Sequence, residues 1–377
     1  MPYLLTDAQR DRYREISQRS RRRKSVLTAG ITPTDQCDER LASRLDPNDL
    51  MPSMVAHSLS ALSLFSGGGG LDLGFERAGY AHAASFELLD ICGQTLRCNR
   101  PEWRVHAGQV YGDVAQASFV SFAGVDIVHG GPPCQPFSTA GKQAGAMDSR
   151  NMWPDFVRCV TQIRPRAFVA ENVPGMLDAK FTDFVATYVE GPLARHYSIV
   201  KFQLCADDFG VPQSRKRVFF VGFRAMRDAR RFEIPAATHG DTHNLFGPLL
   251  PRNTVRQSLG LEPTGFDAMA PTIRSGFTGP RKTTSVVNSQ ASLRTWASLG
   301  IWPNGVQISR AMATAFVPEN GHHRLTVGDC ALLQGFPADW QFAGAVYQAL
   351  GQIGNSVCPP VAFAVARQVA RALGVDS

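Results

Sequence analysis

The sequence contains no CxxC pair, no GxxxxGK[ST] phosphate loop, no internal repeat and no unbroken apolar run of about 18 residues. Each absence excludes something. The eight cysteines (Cys37, Cys92, Cys98, Cys134, Cys159, Cys205, Cys330 and Cys358) are scattered, so neither a zinc site nor a disulfide framework is expected. No metal is expected, and free thiols point to a reducing cytosol. The missing phosphate loop counts against ATP as a ligand. The missing apolar run argues against a membrane span, and the opening MPYLLTDAQRDRYREIS lacks the apolar stretch of a secretory signal. A cytoplasmic protein is expected.

What is present is ample for a folded chain. Of 377 residues, 44% are hydrophobic, which suffices for a core and suggests two or more domains. A net charge of +7 permits a polyanionic partner without requiring one. Residues 1–57 stand apart as a basic extension. Thr6 and Gln9 resemble a capping box, and Arg19, Arg21, Arg22, Arg23 and Lys24 form a charge run. A solvated helical arm and an arm that touches phosphates both fit that run.

From Leu59 the chain alternates short apolar runs with helical stretches. ALSLF, AHAASFE, VDIVHGG, RAFVAENV, VKFQLCA and RVFFVGF read as strands, and LDLGFERAG and LLDICGQTLRCN as helices. That rhythm predicts an α/β fold with a mostly parallel sheet covered on both faces. From about Arg224 to Leu325 it gives way to a loop-rich stretch with short strands. A helix returns at VGDCALLQ, capped by Thr326 and stopped by Gly335, and Pro359 and Pro360 open a last helix. The expected divisions are 1–57, a catalytic unit 58–222, a smaller loop-rich unit 223–327, and a C-terminal segment 328–377 that completes the catalytic unit.

The chemistry-bearing residues fall at strand ends. FSGGGG follows a strand and opens a helix, where backbone can approach a ligand. Glu87 ends the next strand, where a carboxylate can accept ribose hydroxyls, and Asp113 in YGDV is placed for an adenine amine. Taken in series they describe a nucleoside cofactor site, although an exposed acid at a strand end is by itself more often just solvated. Cys134 sits in GGPPCQPFSTAG, where prolines fix the backbone on both sides. Glu171 in AENVPG would share its sheet edge, and a thiol facing a carboxyl suggests a nucleophile and an acid. A buried partnered Glu171 and an inert Cys134 are the structural alternatives, as is a solvated loop for QSRKR with Gln213, Arg215 and Arg217.

In order, FSGGGGLDLGF, GDV, GGPPCQPFS, ENV, QSRKR, RLTVGDCALLQGFP and QIGNSV resemble the blocks of DNA (cytosine-5) methyltransferases. The resemblance runs from about Leu59 to the C-terminus. It implies the Rossmann-like fold of S-adenosylmethionine-dependent methyltransferases with a target-recognition domain at 223–327. It implies that Phe65, Gly67, Gly69, Gly70, Glu87, Asp113, Val114, Gly131, Pro133, Asn355, Ser356 and Val357 border S-adenosylmethionine, with Trp153 packing near it. Cys134 matches the nucleophile, Glu171 the acid beside the base, Arg217 the arginine at the cytosine carbonyl, and Arg215 its neighbour. Gln135, Ser138, Lys142 and Arg150 fall on the loop that closes over DNA.

Three departures from that pattern stand out. Gly68 replaces a bulkier residue, which would loosen the cofactor loop; Asp329 stands where Glu is usual; Cys358 stands where proline is common. The implied partner is double-stranded DNA, with a cognate restriction endonuclease, a monomer on DNA and nucleoid association as further expectations. Arg252, Arg256, Arg274, Arg281 and Arg310 are the arginines available to read guanine edges or hold phosphates. A tRNA methyltransferase of the same fold, a non-catalytic DNA-binding regulator and a cysteine hydrolase are the competing readings. No histidine is identifiably paired with Cys134 for the last of these.

Overall fold

A computed structural model describes residues 45–133, 151–240, 248–277, 283–318 and 320–375, together with Asp11, Glu15 and Gln18. The strands are β1 Ser60–Leu64, β2 Ala81–Glu87, β3 Val105–Ala107, β4 Ile127–Gly130, β5 Ala167–Asn172, β6 Ser198–Cys205, β7 Gln213–Ser214, β8 Lys216–Phe223, β9 Ala270–Pro271, β10 Ile301–Gln307 and β11 His323–Thr326. Seven of them form one sheet in the order β3-β2-β1-β4-β5-β8-β6. β3 through β5 run parallel, and β8 enters antiparallel between β5 and β6. The order reverses on either side of β1, which opens a crevice at the carboxyl ends of β1 and β4.

The period of two along each strand divides the core. Ala61, Ile127, Val169, Phe219 and Val221 face one apolar cluster, while Leu62, Leu64, Val128, Phe168 and Phe220 face the other. The first face is covered by α1 (Gly70–Arg77) and by the last helix of the chain. Helix α2 (Asp90–Asn99) leads from β2 to β3, and α3 (Trp153–Ile163) covers the second face. Further on lie α4 (Gln290–Ser298), α5 (Val327–Leu333), α6 (Val346–Asn355) and α7 (Pro359–Ala372). A Cβ on Gly74 of α1 would come within 2.4 Å of the Ala362 Cβ in α7, so glycine lets the first and last helices touch. Helices α6 and α7 together have the apolar length of a membrane span, but most of that stretch is buried in this core.

The loop-rich stretch shares the core. Val255, Leu259, Ile273, Val286, Trp296 and Ile301 belong to the cluster on the first face. β9 pairs with β7, and β10 with β11. α5 begins with a capping box in which Thr326 accepts from the Asp329 amide and Asp329 accepts from the Thr326 amide. Asp329 also pairs with Arg310, so the shorter acid is absorbed into structure.

Beneath α1 lies a small polar layer. Asp72 is buried; its Oδ1 accepts from Ser85 Oγ at 3.1 Å, and the Ser63 and Ser66 hydroxyls lie 2.7 Å apart nearby. Burial raises the Asp72 pKa from 3.8 to about 6, with the three serines opposing the rise. The folded chain therefore holds this proton more tightly than the unfolded chain. Folding takes up a proton between about pH 4 and pH 6, and this group's contribution to stability falls as pH rises through that window. The ionised form costs on the order of 3 kcal/mol above the window. Asp72→Asn should accordingly be more stable than the parent at about pH 8, by roughly 1–3 kcal/mol in urea unfolding. A loss of stability at that pH would contradict this assignment.

Candidate active site

The loop after β1 turns through left-handed backbone at Phe65 (φ 56°), Gly67 (φ 56°) and Gly69 (φ 85°), the last being the residue before α1. A Cβ on Gly67 would meet nothing nearer than the Phe65 carbonyl at 3.9 Å, so this part of the loop faces open space. On Gly70 it would lie 2.1 Å from the Val357 carbonyl, so the C-terminal segment is seated directly on the loop. Gly68 does not slacken the turn as its sequence suggests. Its carbonyl accepts from Trp340 Nε1 at 3.0 Å, and a Cβ there would come within 2.9 Å of Ser356 Oγ and 3.1 Å of Phe342. The C-terminal segment thus packs directly against Gly68.

Glu87, the last residue of β2, accepts from the Gly67 amide at 2.7 Å and the Leu89 amide at 2.9 Å. Burial raises its pKa, and these amides oppose the rise. Asp113 accepts from the Ala115 amide at 3.0 Å and Gln116 Nε2 at 2.8 Å, and Val114 beside it is buried. Asn355, at the end of α6, is exposed, whereas Ser356 and Val357 are buried. An open glycine face beside Glu87 at the end of β2, with Asp113 just past the helical turn Gly108–Tyr111 that follows β3, offers backbone and carboxylates to a nucleoside ligand.

The second half of the site lies where β4 and β5 end. Asn172 Nδ2 donates to the Pro132 carbonyl at 3.1 Å, fixing the Pro132–Pro133 turn to β5. A Cβ on Gly131 would lie 2.8 Å from Glu171 Oε2, so only glycine leaves the carboxyl its place. Glu171 is buried, and its Oε1 meets Arg217 Nε at 2.8 Å. Burial raises the Glu171 pKa; the Arg217 and Arg215 guanidiniums pull it back without cancelling the rise. A carboxyl so placed holds its proton more readily than a surface one, as a proton donor must.

Cys134, Gln135, Ser138, Lys142 and Arg150 lie outside the described residues. Arg215 is fully enclosed, and its Nη2 donates to the Gly354 and Ser356 carbonyls. Trp153 is completely buried, edge-to-face with Phe156 and Phe220, and offers no exposed surface to a cofactor. It braces the sheet from behind the site. Sequence reasoning missed Asn172 and Trp340. Asn172 was within reach, being the middle residue of ENV, but a tryptophan some 270 residues away in sequence carries no local sign of its bond to Gly68.

Several arginines expected to be available for DNA are committed elsewhere. Arg252 pairs with Asp208, Arg256 donates to the Glu262 and Leu299 carbonyls, and Arg310 pairs with Asp329. Buried carbonyls and carboxylates in a segment with few regular elements need donors, and arginine supplies several from one side chain. Arg281 lies outside the described residues. Among the described cysteines, Cys92, Cys159, Cys330 and Cys358 are buried, with burial raising their pKa values, and Cys98 is exposed.

Comparison with known proteins gives a consistent result. A family model described as C-5 cytosine-specific DNA methylase matches residues 59–371. The chain is 35% identical over 321 residues to the type II methyltransferase M.NgoMIV of Neisseria gonorrhoeae, covering 83% of this chain and 98% of that protein. It is 38% identical over 232 residues to M.AquIA of a Picosynechococcus strain, covering 56% of this chain and 92% of that one. A solved structure of a putative DNA modification methyltransferase from an Escherichia coli prophage shares the fold, with a TM-score of 0.56 and 22% identity over 84% of this chain and 100% of that one.

The contact between Gly131 and Glu171 gives a direct test. Gly131→Ala should fold normally yet lower the rate of methyl transfer by roughly tenfold, because the carboxyl must move by about half an ångström to make room for the methyl group. An initial-rate assay on duplex DNA beside a thermal melt reads both quantities. A variant with wild-type rate would show that the close approach does not constrain the acid.

Proposed function

This chain belongs to the C-5 cytosine-specific DNA methylase family, and we propose that Cys134, Glu171 and Arg217 are the residues with which it methylates carbon-5 of a cytosine flipped out of a specific duplex sequence. It is a DNA cytosine-5 methyltransferase that uses S-adenosylmethionine. The observation that best supports the residue assignment is the buried Glu171–Arg217 pair beside the Pro132–Pro133 turn that leads into Cys134.

Carbon-5 of cytosine is a poor nucleophile. Addition of the Cys134 thiolate to carbon-6 converts the ring to an enamine, whose carbon-5 can accept the methyl group. S-adenosylmethionine supplies that methyl on a sulfonium sulfur. Glu171 donates its proton to ring nitrogen 3 as negative charge develops there, and Arg217 then neutralises the carboxylate while facing the cytosine carbonyl. A base, for which we propose ordered water, then takes the carbon-5 proton and the thiolate is expelled, while ring nitrogen 3 returns its proton to the Glu171 carboxylate, restoring both the aromatic ring and the acid. Free thiols have a pKa of about 8.5, so cationic groups near Cys134 would raise the thiolate fraction.

Carbon-6 is shielded in duplex DNA, so the target nucleotide must leave the stack. We assign the grip on the flanking duplex to residues 223–327 and non-specific phosphate contact to the basic extension 1–57. Residues 58–222 and 328–377 then form the catalytic unit. The named relatives are type II methyltransferases, which favours DNA over tRNA and a place in a restriction–modification system. A partner endonuclease, a monomer on DNA and a cytoplasmic location complete the proposal.

Two experiments bear on these assignments. With 5-fluorocytosine at the target, the final deprotonation is blocked. A stable protein–DNA adduct should accumulate only when S-adenosylmethionine is present, and peptide mapping should find it on Cys134. Cys134→Ser should lose both adduct and methylation while still binding duplex DNA; normal turnover by that variant would remove the basis for the mechanism. Separately, replacing residues 223–327 with the equivalent segment of a relative should move methylation to the relative's sequence, as read by bisulfite sequencing. An active chimera that kept the original sequence preference would sink the recognition assignment.

A further inference from the structure

In the stretch Gln213–Arg217, odd-numbered side chains turn inward and even-numbered ones turn out. The inward residues grip different parts of the molecule. Gln213 Nε2 donates to the Leu333 carbonyl at 3.0 Å and Gln334 Oε1 at 2.8 Å, at the end of α5. Arg215 Nη2 donates to the Gly354 carbonyl at 2.8 Å and the Ser356 carbonyl at 3.0 Å, at the end of α6. Arg217 meets Glu171 at the end of β5. Gln334 Nε2 also donates to the Ser356 carbonyl at 2.7 Å, so that one oxygen receives two buried donors.

The junction between α6 and α7 needs those donors. A helix end leaves carbonyls without partners, and Pro359 and Pro360 beyond it carry no N–H to offer. The carbonyls are also the negative end of the α6 dipole, which a guanidinium complements. Between the clamped carbonyls sits Asn355, which is exposed, and Val357 follows with its carbonyl against Gly70 of the glycine loop.

We infer that Arg215 is a positioning residue for the cofactor pocket: by clamping the Gly354 and Ser356 carbonyls it sets Asn355–Val357 against the glycine loop. This rests on the reading that Asn355–Val357 border S-adenosylmethionine. Arg215 thus acts through the backbone it holds, and its removal is felt first in cofactor binding.

The test compares Arg215→Met, Arg215→Lys, Gln334→Ala and Asn355→Ala in the full chain, with KM for S-adenosylmethionine, kcat and the Kd of S-adenosylhomocysteine measured for each. Arg215→Met should raise the KM for S-adenosylmethionine about tenfold or more and lower kcat by less than about threefold. Arg215→Lys should recover part of that loss, because an ammonium restores charge and donors without the planar fork. Gln334→Ala, which removes the other donor to Ser356, should shift KM in the same direction by less, and it decides the matter if Arg215→Met fails to fold. A folded Arg215→Met with KM within about twofold of wild type, or a loss confined to kcat, would overturn the inference. Asn355→Ala separates the two ideas. If it raises KM while Arg215→Met and Gln334→Ala do not, the clamp is wrong and the pocket stands; if it leaves KM unchanged, the pocket reading falls and the clamp with it.

Discussion

The contact between Glu171 and Arg217 holds a buried carboxyl in place where β5 ends. Its geometry comes from one topological choice, the antiparallel entry of β8 beside β5. A parallel strand in that position would send its own carboxyl end to the site and leave the QSRKR turn at the opposite edge. Reversed, β8 begins at the site, so the residues that precede and open it can face β5, α5 and α6 at once. Burial pushes the Glu171 pKa up, and the Arg217 and Arg215 guanidiniums oppose that rise.

The cofactor half depends on the same economy of contacts. The C-terminal segment is distant in sequence, yet it supplies the wall behind the glycine loop: Trp340 holds Gly68, and Val357 presses on Gly70. The loop is thereby shaped from outside itself. A turn of four glycines would otherwise sample many conformations, and ordering it on binding would weaken affinity.

Much of this was legible in the chain. The main strands were readable because two-sided burial demands apolar runs, and the caps at Thr326 and Gly335 because helix ends need particular residues. Helix α6 went unread, although Val346, Ala349, Leu350 and Ile353 follow helical spacing, because its glycines weaken the local signal. The packing of Gly68 and Trp153 and the partners of Arg252, Arg256 and Arg310 could not be read from the sequence for a common reason. Each is decided by a partner far away in sequence, and residue type states what a side chain can do without stating where it is used. Arg256 could as well have met a phosphate; that it meets the Leu299 carbonyl is a fact of tertiary structure.

The burial of the thiols carries a consequence for reactivity. Soft electrophiles attack thiolates, and a thiol that is enclosed and resists ionisation is protected twice over. Cys92, Cys159, Cys330 and Cys358 share that protection, Cys205 has its pKa pushed up to about 11, and Cys98 is the described cysteine left on the surface. The core has in effect been passivated. Alkylating reagents should therefore spare the four buried thiols of the folded chain and, among the described cysteines, reach Cys98 first.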